Sequence, residues 1–187
     1  HEQSAFMAGA YVFPGGRVDD SDRFDPLTDY CDGIDAALQH LPDLQPAEAV
    51  QYHVAAIREL FEEAGVLLAR DPLGAFISFT DPDLKLKFDA YRLAVHQSML
   101  PLPLILQTEG QRFALDALVP FAHWVTPEIE HRRFDTRFFV TRIPSGQEPL
   151  HDDEETVHSI WVSPVEALER YGRQEINLAP PTLRSLE

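Results

Sequence analysis

Nine consecutive residues constrain this chain more than any others: Arg58-Glu59-Leu60-Phe61-Glu62-Glu63-Ala64-Gly65-Val66. At about 100° per residue, Glu59, Glu62 and Glu63 fall within about a third of a helix circumference. Val50, Val54, Ile57, Leu60, Phe61 and Ala64 supply an apolar face, so the helix buries one side and turns its carboxylates to space the fold leaves open. Three like charges this close raise one another's pKa unless cations neutralise them, and hard oxygen ligands suit Mg²⁺ or Mn²⁺. A solvated acidic face, with Arg58 and Glu62 as an i,i+4 pair, is the other reading of the same residues.

Upstream, the run Tyr11-Val12-Phe13 ends in Pro14-Gly15-Gly16, followed by Arg17-Val18-Asp19. It reads as a strand entering a loop whose backbone can approach another group closely. Together the two pieces resemble the Nudix box: a glycine, five residues, a glutamate, seven residues, then Arg-Glu-aliphatic-x-Glu-Glu-x-Gly-aliphatic. Arg58, Glu59, Leu60, Glu62, Glu63, Gly65 and Val66 match its second half position by position. The first half departs from it. Asp22 stands where the box has glutamate, and Arg23 to Ile57 occupy the place of seven residues.

A long insertion there resembles one branch of that family, the one including the animal peroxisomal coenzyme A diphosphatases. Phe13-Pro14-Gly15-Gly16-Arg17-Val18-Asp19, His123-Trp124-Val125-Thr126-Pro127, Arg133-Phe134-Asp135-Thr136-Arg137-Phe138-Phe139 and Pro180-Pro181-Thr182-Leu183 resemble it too. The resemblance implies an α+β fold, an α/β/α sandwich with a mixed β-sheet between helices and a helical insertion. It also implies metal-dependent hydrolysis of a diphosphate linked to another moiety, with a small nucleotide-type substrate.

The 187 residues, 44% hydrophobic, are enough for one sizeable core, so a single domain is expected, with insertions at about 23–46 and 81–110. No apolar run approaches a membrane span, and the lone Cys31 fits a reducing cytoplasm. The net charge of −16 argues against nucleic acid, whose phosphates need clustered Lys and Arg. An acidic chain with an anionic substrate must gather its cations locally.

Residues 1–10 lack the strands that normally precede the Gly-Gly loop in such a domain. Either the natural chain extends upstream or the sheet borrows a strand from a partner in a homodimer. The spacing then predicts an inserted surface loop with a helix at Ile34 to Leu41, a long helix from Ala47 to Ala64, and a buried extension over Val66 to Leu68. Asp81-Pro82 opens a helix apolar at Leu84, Phe88, Tyr91, Leu93 and Val95, and Pro103 to Thr108 forms another; this helical insert is expected to cover the cleft. Strands are predicted over Ala117 to Val125, Arg133 to Arg142 (covered on both faces) and Thr156 to Val162. Helices are predicted to begin at Ser163-Pro164 and Pro180.

Glu59, Glu62 and Glu63 are the expected catalytic metal ligands, joined by the Gly16 carbonyl, with Arg58 orienting the glutamates. The resemblance implies a further glutamate as ligand or base in the acidic run 152–155, with Glu155 preferred to Glu154. Arg132, Arg133 and Arg137 form a basic cluster suited to substrate phosphates, although ion pairs to Glu128, Glu130 or Asp135 would equally explain it. His123, His131 and His158 read as structural. The substrate that the resemblance alone implies is coenzyme A or an acyl-CoA. ADP-ribose, NADH or a nucleotide sugar is the alternative, and a binding module without turnover is another.

Overall fold

The computed structural model describes residues 9–23, 27–126, 134–149 and 159–187, which fall into two compact units. The larger comprises Pro14–Pro120 and Phe139–Val157. Its helices are α1 (Ile34–His40), α2 (Pro46–Ala64), α3 (Pro82–His96) and α4 (Leu102–Thr108), and its short strands are β1 (Cys31–Asp32), β2 (Ala69–Arg70) and β3 (Arg112–Ala114).

α2 forms for the local reasons its sequence predicts. Pro46 takes the first position, where a missing N–H costs nothing, and Gln45 N–H donates to Glu48 Oε2 at 3.2 Å. Gly65 ends the helix with φ 67°, a left-handed conformation that glycine adopts without a Cβ clash. Val50, Val54, Ile57 and Phe61 are buried on the face the pattern marks, and Val66 to Leu68 are buried as expected. Each such side chain contributes about 1.5–3 kcal/mol by leaving water.

The sheet is mixed. β3 is central, parallel to β1 (Cys31 opposite Phe113) and antiparallel to β2 (Ala69 opposite Phe113). β1 and α1 belong to the segment expected to be a surface loop. Cys31, Ala37 and Leu41 are instead buried, because that segment supplies an edge strand and packs α1 on α2. Arg112 fastens it, donating to Asp32 Oδ1 (2.6 Å), Asp29 O (2.6 Å) and Cys31 O (2.9 Å).

The expected cover over the cleft is likewise part of the core: Phe88, Val95, Leu102, Ile105 and Leu106 are buried in the same cluster as Ile57 and Phe61. Asp81 caps α3 by accepting from Asp83 N–H at 2.9 Å. Leu93 is exposed, since it lies about 140° around the helix from Phe88. Gln147 stands in for a strand: its Oε1 accepts from Leu67 N–H at 2.8 Å, and its Nε2 donates to Leu67 O and Ile77 O, both at 2.9 Å.

His53 lies under this core, fully buried, with its Nδ1 donating to Ala49 O at 2.8 Å and, among the described residues, no hydrogen-bond partner on Nε2. Burial holds its pKa below the ordinary imidazole value; the Ala49 bond opposes this and the nearby His40 adds to it. A folded pKa below the unfolded value, about 6.5, means stability is complete above that value and is lost as pH falls through the folded pKa. The thermal midpoint of the wild type is therefore expected to fall more steeply between pH 7 and pH 5 than that of His53→Leu. Parallel pH–midpoint curves would refute this.

The smaller unit comprises His1–Phe13, Phe121–Phe138 and His158–Glu187. β4 (Val119–Val125) and β5 (Asp135–Val140) pair in a two-stranded sheet and carry residues of both units. His123 Nε2 lies 2.6 Å from Asp135 Oδ1. Phe13, Phe121 and Phe138 meet edge to face at centroid distances of 6.0–6.3 Å. α5 (Pro164–Gly172) begins where Ser163 Oγ accepts from Glu166 N–H at 3.2 Å, and α6 (Pro180–Leu186) begins at its proline.

Four strand expectations need correction. Tyr11 makes only an isolated bridge to Leu178, so Tyr11-Val12-Phe13 is not a strand. Leu115–Ala117 is a 3-10 turn, so β4 starts later than predicted. The middle of β5 is only half-buried, so neither face is closed. Of the strand expected at Thr156 to Val162, residues 156–158 lie outside the described residues and 159–162 form no strand. Trp161 there is 74% exposed, an apolar run without packing to make it a strand.

Candidate functional site

The site is built around a buried charge. Arg58 is only 4% exposed, and a guanidinium so placed is stable only if its donors are matched. Its Nε donates to Asp22 Oδ1 (2.8 Å) and its Nη2 to Asp22 Oδ2 (3.0 Å), a bidentate pair. Nη1 donates to Glu59 Oε1 and Glu62 Oε1, both at 2.8 Å, and Nη2 also reaches Arg17 O at 2.8 Å. These bonds use all five guanidinium N–H groups. Burial opposes the charge on Arg58, but Asp22, Glu59 and Glu62 outweigh it and raise its pKa.

Asp22 is wholly buried, and its Oδ2 also accepts from Asp19 N–H at 2.8 Å. In the sequence it reads only as a departure from the motif. Its position six residues after Gly16 is the signal that marks it as the counter-ion of Arg58.

The Gly15-Gly16 loop closes onto the same helix. Gly15 N–H donates to Glu63 Oε2 at 3.0 Å, 48 residues away in the chain. A Cβ at Gly16 would lie 2.6 Å from Glu59 Cδ and 2.7 Å from Oε2, so only glycine leaves room for that carboxylate. The ends of the long insertion thus return to the glutamates. Gly16→Ala is expected to push Glu59 off Arg58, costing about 1–3 kcal/mol of stability and at least about tenfold in turnover. Unchanged kinetics and an unchanged melting curve would remove the close contact from the account.

α3 adds a contact that the sequence did not reveal: Arg92 Nη1 donates to Glu62 O at 2.8 Å, and His96 Nδ1 lies 4.0 Å from Glu62 Oε2. Burial raises the pKa of Glu59, Arg58 lowers it, and the charges of Glu62 and Asp22 raise it further. An acidic cluster with one matched cation favours a further positive charge.

Glu59, Glu62, Glu63 and Gly16 are therefore brought to one place, and their oxygens are the hard donors that Mg²⁺ or Mn²⁺ takes. Their carboxylates do not face one common point. Among the described residues no three acidic, histidine or cysteine side chains converge as a ready cage, because Arg58 takes one oxygen each from Glu59 and Glu62, and Gly15 one from Glu63. Arg132, Arg133 and Glu155 lie outside the described residues, as do Glu128, Glu130 and Glu154. Arg137 is on β5, part-buried, in the smaller unit.

The model of the NUDT19 Nudix domain family matches residues 36–187. The chain is 28% identical over 217 residues to the acyl-coenzyme A diphosphatase NUDT19 of Xenopus laevis, covering 99% of this chain and 56% of the relative. It is 32% identical over 221 residues to the protein of that name from Gallus gallus, covering 98% and 57%. The chain thus spans little more than half the length of these relatives. Among solved structures, a NUDIX hydrolase from Alicyclobacillus acidocaldarius superposes with a TM-score of 0.68 at 27% identity, over 97% of this chain and 76% of that one.

Proposed function

This chain belongs to the NUDT19 Nudix domain family, and on that premise we propose that it hydrolyses the diphosphate of coenzyme A or an acyl-CoA with Mg²⁺ or Mn²⁺ bound. The observation that carries the reading is the closure of the Gly15-Gly16 loop on Glu59 and Glu63, stapled by Arg58 and Asp22. Relatives named acyl-coenzyme A diphosphatase support the substrate.

Glu59, Glu62 and Glu63 would hold the metal, with the Gly16 carbonyl beside them. When bound, it supplies charge neutralisation at the diphosphate oxygens and a lowered pKa for an attacking water. Arg58 holds Glu59 and Glu62 in fixed rotamers, and Gly15 N–H does the same for Glu63, so the carboxylates are oriented before substrate arrives. Glu155 is the proposed acceptor of the water's proton, and Arg132, Arg133 and Arg137 are the proposed phosphate contacts. The products are adenosine 3′,5′-bisphosphate and a phosphopantetheine fragment.

The test is a panel of coenzyme A, acyl-CoAs, ADP-ribose, NADH and a nucleotide sugar with Mg²⁺ or Mn²⁺, read by product identity. Preference for ADP-ribose, NADH or the sugar would overturn the substrate, and absence of turnover on every compound would favour a binding module.

A further inference from the structure

The carboxylate network leaves an electrostatic gap that one side chain is placed to fill. A diphosphate brought to Glu59, Glu62 and Glu63 meets three acids, two of them held by one buried arginine whose five donors are already used on them, on the buried Asp22 and on Arg17 O. In the larger unit several other cations are spent on acids, Arg70 on Asp116 at 2.7 Å, Lys85 on Asp89 at 2.6 Å, Lys87 on Glu109 at 2.6 Å and Arg112 on Asp32 at 2.6 Å, and Arg92 is held by Glu62 O at 2.8 Å. Arg17 is exposed and its side chain makes no ion pair among the described residues. Its backbone is nonetheless fixed within the network. Arg17 O accepts from Arg58 Nη2 at 2.8 Å, and two residues earlier Gly15 N–H is bound to Glu63. Arg23 and Arg142 likewise make no ion pair among the described residues, but no hydrogen bond among those residues ties either backbone to the glutamates.

From this geometry we infer that Arg17 is a substrate-binding residue that grips the diphosphate of the ligand through its guanidinium. The inference rests on the diphosphate reading of the site. A fork of donors on a backbone already immobilised pays little ordering entropy when it closes on phosphate oxygens, and in an acidic protein it also offsets long-range repulsion. Because the diphosphate carries its charge before the bond breaks, loss of the guanidinium falls on affinity, and because charge also develops there as the bond breaks, it falls on turnover as well.

The experiment measures binding of α,β-methylene-ADP, whose diphosphate bridge resists hydrolysis, by calorimetry with Mg²⁺ at low salt, alongside steady-state kinetics on coenzyme A. Arg17→Ala is expected to raise Kd and KM at least about tenfold, with kcat lowered as well, and Arg17→Lys to recover part of the loss. Lys85→Ala removes the same charge from an exposed pair with Asp89 on α3 and should leave Kd within about twofold. A Kd and KM for Arg17→Ala within about twofold of wild type overturn the assignment whatever happens to kcat, and so does an equal loss in Lys85→Ala. A wild type that binds the analogue through Arg17 but cleaves no coenzyme A upholds Arg17 and sinks the proposed reaction instead.

Discussion

Arg58→Met is expected to lower the thermal midpoint by about 6–20 °C. The estimate follows from the cost of stripping one partner from a buried ion pair, about 3–5 kcal/mol, and from the about 2–4 °C per kcal/mol expected of a chain this size. The cost arises on the other side of the bond. Asp22 is fully buried, and without the guanidinium its carboxylate keeps one Asp19 N–H against the whole desolvation penalty. The double variant Arg58→Met with Asp22→Leu should be more stable than the single one, because it removes the stranded charge. Calorimetry of the three proteins decides the matter: a single variant within about 2 °C of wild type would mean that the network contributes nothing to folding.

Glu63→Gln should have the opposite profile, a large loss of turnover with the fold intact. The amide oxygen can still accept from Gly15 N–H, so the loop stays closed, while the charge that would bind a metal is gone. We expect turnover to fall by roughly two or more orders of magnitude with the midpoint nearly unchanged. Near-full activity at saturating Mg²⁺ would remove Glu63 from the metal set. With Arg58→Met, the two variants separate scaffold from chemistry at neighbouring positions of one helix.

Features that depend on a few adjacent residues were legible in the sequence. Pro46 and Gly65 bound α2 because their backbone restrictions are local, and Asp81 and Ser163 cap helices within one turn. The glutamate spacing and the glycine loop marked the same site from two ends. What escaped was long-range. Asp22 finds Arg58 across 36 residues, and Gln147 replaces a strand at Leu67 across 80, pairings that no periodicity encodes. β1 and β2 have two residues each, too few to show alternation. The inserted segment looked solvated because its Asp and Pro content hid the buried Cys31 and Ala37.

The stapled loop also bears on the order in which the molecule assembles. Helix α2 needs only neighbours along the chain and can form within about a microsecond, but the buried counter-ion of its arginine, Asp22, arrives from 36 residues away, and the glycine loop closes on Glu63 from 48 residues away. Closing a loop of about 35 residues in place of seven adds only about 1.4 kcal/mol of entropy, which the equilibrium state tolerates easily. Its effect is kinetic, since pairings distant in sequence slow the search for the native state. Until that search ends, Arg58 must remain hydrated and the helix cannot settle into the core. Burial of Arg58 against Asp22 is therefore expected to come late in folding, after α2 has already set Glu59, Glu62 and Glu63 on one face.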